Sequence, residues 1–124
     1  MSPGDIFSLK DASVIFPEVE LGQSRTLHDF RTVLILSRQK TCDNALRYVV
    51  TIAPMSSKVD VRTELEVIVD PDLYNNLKVR SRIALGHIQP VLKRDLDRKI
   101  GHLGPRDLDG VITRHLMNLG IIEG

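Results

Sequence analysis

Residues 31–54 read RTVLILSRQKTCDNALRYVVTIAP, and this stretch carries most of the information about fold class. Val33, Leu34, Ile35 and Leu36 follow one another without a polar break, within the β-branched, apolar run from Arg31 to Ser37. Such a run reads as a strand covered on both faces. Arg47 to Ala53 repeats the pattern through Val49, Val50 and Ile52, with Pro54 as its expected end. Cys42 to Ala45, lying between the two runs, reads as a polar turn.

The flanks extend the pattern. Before it, Gly4-Asp5-Ile6-Phe7-Ser8-Leu9 places apolar residues around polar ones, as in a first strand, and the polar text from Pro17 to Asp29 reads as a long loop. Loops of that length in small domains are commonly functional. After it, Leu65, Val67 and Val69 continue from Thr63 in alternation with Arg62, Glu64 and Glu66, the period of a half-exposed strand, and Asp70-Pro71-Asp72 breaks it. Ile83, Leu85 and His87 share one face of a further strand, Arg82, Ala84 and Gly86 the other, and Pro90 closes the segment. The last element is a helix, opened by Gly104-Pro105 with Asp107 in its first turn. Leu108, Val111, Ile112, Leu116 and Leu119 form its apolar stripe, and Gly120 supplies the stop. Several strands followed by one packing helix predict an α+β domain built on a small, strongly bent sheet or barrel.

Composition narrows the function classes. The chain has 124 residues, 42% hydrophobic and 27% charged, which suits one globular domain and excludes wholesale disorder. Cys42 is the single cysteine, so no internal disulfide or thiol-rich zinc site can form, and its thiol is expected to be inert. The N-terminus lacks a basic, then apolar, signal-peptide pattern, and Val33 to Leu36 falls far short of the ~20 apolar residues of a membrane span. A cytoplasmic protein without membrane contact is the expectation. Aromatics are 4% with no Trp, which argues against an extended base-stacking platform. The net charge of +1 hides a partition: residues 78–106 hold eight basic and two acidic residues, whereas residues 1–77 and 107–124 are net acidic. That segregation can give a nearly neutral chain a phosphate-attracting face, although solvated loop charges read the same way.

Taken in order, these segments resemble the MazF/PemK family of bacterial toxins from type II toxin–antitoxin systems. The likeness rests on Gly4-Asp5-Ile6-Phe7, on the strand from Arg31 to Ser37, and on Val50 to Ser57 (VTIAPMSS) ending in Ala-Pro-apolar-Ser-Ser. It continues through Ser81 to Leu103 and the closing helix with Leu119-Gly120-Ile121, so it covers nearly the whole chain. The resemblance implies a small SH3-like barrel with a C-terminal helix, dimerisation, and cleavage of single-stranded RNA at short sequences without metal or cofactor. It also implies silencing by a cognate antitoxin and products ending in a 2′,3′-cyclic phosphate and a 5′-hydroxyl.

On this resemblance the catalytic candidates are Arg31, Ser56 and His28, with RNA contacts at Ser57, Arg82, His87 and Arg25. Arg31 offers paired donors for phosphate oxygens and, being permanently charged, suits transition-state stabilisation better than proton transfer. It reads equally as a surface ion pair at a strand start, and Ser56 equally as a local turn cap. His28, three residues before Arg31, is the candidate for proton transfer near neutral pH. His102 and His115 read as structural or surface histidines. Thr32 (for Pro), Gly86 (for an acid) and Gln89-Pro90 (for Arg-Thr) depart from the family pattern, and the lost acid and Arg are charged groups that some relatives use; Arg82 is placed to substitute for the lost cation. Two rival functions remain: a non-enzymatic interaction or nucleic-acid-binding module on the same barrel, and a gyrase-directed toxin, which typically needs a C-terminal Trp-Gly that this chain lacks.

Overall fold

The computed structural model describes residues 1–10, 13–15, 30–61 and 64–124. Among the described residues, seven strands and two helices follow in the order β1 (Asp5–Lys10), β2 (Phe30–Ile35), α1 (Gln39–Asp43), β3 (Val49–Ser56), β4 (Val67–Val69), β5 (Ser81–Ile83), β6 (Gln89–Leu92), β7 (Leu96–His102) and α2 (Pro105–Asn118). The sheet order is β4-β5-β3-β2-β1-β7, with β6 also pairing β3, and every pairing is antiparallel. The architecture is the expected α+β class, with the sheet open between β4 and β7 among the described residues rather than closed into a barrel. No helix among the described residues is long and apolar enough to cross a membrane.

β3 is the hub. Its residues 49–52 pair with β6, residues 52–54 with β2, and Met55 and Ser56 with β5. A strand that changes partners along its length bends the sheet, which is how seven short strands enclose a core. Side chains of β2 and β3 point alternately into two buried clusters. Leu34, Ala53 and Met55 join Ile6, Val69, Ile83, Leu103 and Val111 on one side. Val33, Ile35, Val50 and Ile52 join Leu9 and Val91 on the other. The unbroken apolar text of β2 therefore has its expected cause.

Several boundaries differ from the sequence expectation. Pro54 does not end β3: its carbonyl accepts from the Ala84 N–H at 2.8 Å, and the strand runs on to Ser56. Pro90 lies inside β6, opposite Thr51, and is tolerated because β6 pairs only with β3. β5 stops at Ile83, and Leu85–His87 form a 3₁₀ turn, so His87 does not share a strand face with Ile83. The alternation at residues 63–69 shrinks to the three residues of β4. Cys42 and Asp43, read as part of a turn, are the last residues of the short helix α1, and β7 has no counterpart in the sequence reading. α2 begins and ends as expected, with Pro105 after Gly104 and a C-terminal cap in which Ile121 N–H donates to Leu116 O (3.0 Å) and Gly120 N–H to Met117 O (3.0 Å). Gly120 has φ +75°, the left-handed conformation this cap requires. Only part of the apolar stripe is buried: Val111 is sealed and Leu108 packs on the core, whereas Ile112 and Leu119 are exposed.

Gly101 on β7 marks the tightest backbone approach. A Cβ there would sit 2.6 Å from the carbonyl oxygens of both Tyr74 and Asn75. Asn75 is buried and braces that loop, accepting from Asp72 N–H (3.1 Å) and Leu77 N–H (2.9 Å) and donating to Asp70 O (2.9 Å). Gly101→Ala is expected to cost about 1–3 kcal/mol, seen as a fall of roughly 4–15 °C in Tm by calorimetry.

Candidate active site

Arg31 and Ser56 lie on adjacent strands, each two residues beyond the last pair of the β2–β3 ladder, Val33 with Pro54. The Arg31 guanidinium folds across to β3, where Nη1 donates to the Met55 carbonyl at 3.0 Å, one residue before Ser56. Ser56 is half-buried, and its Oγ accepts from the Lys58 N–H at 3.1 Å. The turn-capping role is thus real, yet it occupies only a lone pair and leaves the hydroxyl proton to donate. Ser57 follows at an exposed bend.

Across β3 on its other edge, Ser56 pairs with Arg82 of β5. Arg82 is not a surface cation. Its Nη1 lies 3.3 Å from Glu66 Oε1, and the two side chains are only 7% and 5% exposed. The sequence alternation set Glu66 on the solvent side and Leu65 inward; the structure reverses them, with Leu65 41% exposed. A buried carboxylate opposite a buried arginine satisfies both charges, which an isolated strand pattern cannot anticipate. Glu66 is the member of this neighbourhood that the sequence reading did not single out. His87 sits half-buried on the 3₁₀ turn beyond β5, its carbonyl accepting from Gln89 Nε2 at 3.0 Å. Gln89 also clasps Ile15 through both amide atoms, at 2.9 and 3.0 Å, so its side chain is engaged in a structural bond. A Cβ on Gly86 would meet nothing nearer than Leu65 Cδ1 at 3.4 Å. His28 and Arg25 lie outside the described residues.

The basic segment 78–106 is not one continuous face. Arg80 pairs with Asp70 (3.1 Å), Lys99 with Asp5 (3.3 Å), and Arg82 is buried. Lys93 Nζ donates to the carbonyls of Thr41, Cys42 and Asn44 at 2.6, 3.2 and 3.0 Å, a cation closing the C-terminal end of α1. Lys78, Arg94, Arg98 and Arg106 remain exposed. Cys42, beside this cap, has its thiol pKa pushed up by burial, against the opposing pull of the N-terminal ammonium and Lys93. A raised pKa means less thiolate at neutral pH. Iodoacetamide is therefore expected to alkylate Cys42 more slowly at pH 8 than a cysteine in an unstructured peptide, with the rate still climbing above the ordinary thiol range.

Residues 16–117 match the family described as the PemK-like, MazF-like toxin of type II toxin–antitoxin systems. The chain belongs to that family. Among solved structures it is similar to the Mycobacterium tuberculosis toxin MazF-mt6, with 27% identity and a TM-score of 0.63 over 80% of this chain and 94% of that one. A structure described as an Mtb toxin is 29% identical, with a TM-score of 0.59 over 68% of this chain and 88% of that chain. An endoribonuclease in complex with its cognate antitoxin from Mycobacterial species shares the fold at a TM-score of 0.72, with 14% identity, over 100% of this chain and 99% of that one. No curated protein matches the sequence. In this PemK/MazF-like toxin, the Arg31 side chain reaches the end of β3 and bonds the carbonyl one residue before Ser56.

Proposed function

We propose that this toxin is a metal-independent endoribonuclease that cuts single-stranded RNA at short sequences, and that its reaction centre is the Arg31–Ser56 pair. The observation that carries the reading is the Arg31 guanidinium bonded to the Met55 carbonyl, one residue before Ser56, in a toxin-family fold. In the reaction the ribose 2′-oxygen attacks the adjacent phosphorus. The bond from 2′-oxygen to phosphorus forms, the bond to the 5′-oxygen breaks, a proton leaves the 2′-hydroxyl and one is delivered to the departing 5′-oxygen. Arg31 neutralises the charge that builds on the non-bridging oxygens, and Ser56 donates a hydrogen bond to one of them. His28 is the group in this scheme whose ordinary pKa suits proton transfer near neutrality. Ser57, His87 and Arg25 hold the flanking RNA, whereas Arg82 acts from behind Ser56 through its pair with Glu66.

The toxin would act in the cytoplasm on mRNA, halting translation and growth. A homodimer is the functional unit in this reading, and the cognate antitoxin lays an acidic segment over the same groove. The test is product chemistry: a short RNA carrying the cut site should yield a 2′,3′-cyclic phosphate and a 5′-hydroxyl. The same RNA with a 2′-deoxyribose at that position should bind and stay whole. Cleavage of the deoxy substrate would contradict the scheme. The withdrawal of Arg82 from the surface favours one rival, a silent RNA-binding module; wild-type protein that binds RNA without cutting it would establish that rival.

A further inference from the structure

At the end of β3 remote from Ser56, a cleft of about 430 Å3 is lined by Ala45, Arg47, Tyr48, Leu92, Lys93 and Arg94. Its walls are fixed. Val49 pairs with Leu92, the Lys93 N–H donates to the Tyr48 carbonyl at 2.8 Å, and the Lys93 ammonium ties down the end of α1. Tyr48 is 71% exposed, a large ring held in water beside two exposed arginines. Among the described residues neither Arg47 nor Arg94 is in an ion pair, whereas Arg80, Arg82 and Lys99 each are. Among the described residues no acid lines the cleft. Asp43, on the neighbouring helix, accepts from Gln39 Nε2 at 2.8 Å.

We propose that this cleft is a second RNA contact, in which one base stacks on Tyr48 and its flanking phosphates meet Arg47 and Arg94. Seven strand steps separate Val49 from Ser56, so the contact lies roughly 20–25 Å along β3 from the reaction centre. An exposed aromatic face between cations is the arrangement that takes a base and its phosphates without reading sequence. Among the described residues the lining combines the Tyr48 ring, aliphatic surface from Ala45 and Leu92, and the stems of Arg47, Lys93 and Arg94, an apolar floor rimmed by cations that suits a stacked base with its phosphates. One aromatic contact also agrees with a chain too poor in aromatics for an extended stacking platform. The inference rests on RNA being the ligand of the Arg31–Ser56 site.

The test uses a labelled 2′-O-methyl oligouridylate of twelve nucleotides, which cannot be cut by 2′-hydroxyl attack, titrated in fluorescence anisotropy at several salt concentrations. Tyr48→Ala should weaken binding about 5- to 150-fold, and Tyr48→Phe should restore it. The double change Arg47→Ala and Arg94→Ala should reduce the slope of log Kd against log salt by about 1.4, two phosphate contacts' worth. All these side chains are exposed, so the variants should keep the wild-type Tm. Unchanged affinity and slope, with cleavage still lost in Arg31→Ala, would overturn the cleft and leave the ribonuclease standing. Weakened binding by the variants of a protein that never cuts RNA would keep the cleft and remove the ribonuclease. An oligoglutamate decamer whose binding falls in these variants while RNA affinity holds would reassign the cleft to an acidic peptide and overturn the proposal.

Discussion

Arg31→Ala is expected to slow single-turnover RNA cleavage by about 10²–10³-fold, the usual cost of removing one preorganised donor to a transition-state oxyanion. The guanidinium is held by the Met55 carbonyl at 3.0 Å, so its position is set before substrate arrives. Its main interaction is with charge that develops during the reaction, so RNA affinity should change far less than rate. Arg31→Lys should recover little, because an ammonium cannot bond the Met55 carbonyl and two phosphate oxygens in the same planar geometry. Equal losses of affinity and rate would mean that Arg31 merely binds RNA.

Arg82→Ala is expected to destabilise the fold by about 3–5 kcal/mol, because it removes one partner of a buried ion pair. Urea unfolding monitored by circular dichroism would show this as a lower midpoint. Replacing both residues by Met should recover much of the loss, since buried ion pairs exchange for apolar packing at small net cost. The Arg80–Asp70 pair is a useful contrast: with side chains 61% and 74% exposed, its removal should shift stability by no more than about 1 kcal/mol. A surface role for Arg82 predicts the reverse pattern, with unchanged stability and a shallower salt dependence of RNA binding.

Much of the fold was legible in the chain because β2 and β3 announce burial on both faces, and because Pro105 and Gly120 punctuate α2. What escaped were features set by tertiary pairing. β7 carries three charged residues among seven, LDRKIGH, and becomes a strand only because β1 offers it an edge. Pro54 looked like a terminus, but the turn beyond β5 supplies a donor to its carbonyl and the strand continues. The site was legible to the same depth. Arg31 reaches the end of β3 at Met55, beside Ser56 in sequence, while the burial of Arg82 depends on Glu66, sixteen residues away and assigned to the wrong face. The charge partition survives as a count and fails as a surface, since Lys93, Arg80, Arg82 and Lys99 are engaged by the protein itself.

The central claim is that the Arg31–Ser56 pair cuts RNA without a metal. It is tested most directly by incubating purified protein with a long RNA in EDTA and mapping every new 5′ end. The account predicts a small set of discrete cuts at a shared short sequence, bearing 5′-hydroxyls, and their loss in Arg31→Ala. Intact RNA, or the same cuts at the same rate from the Arg31→Ala protein, would contradict it.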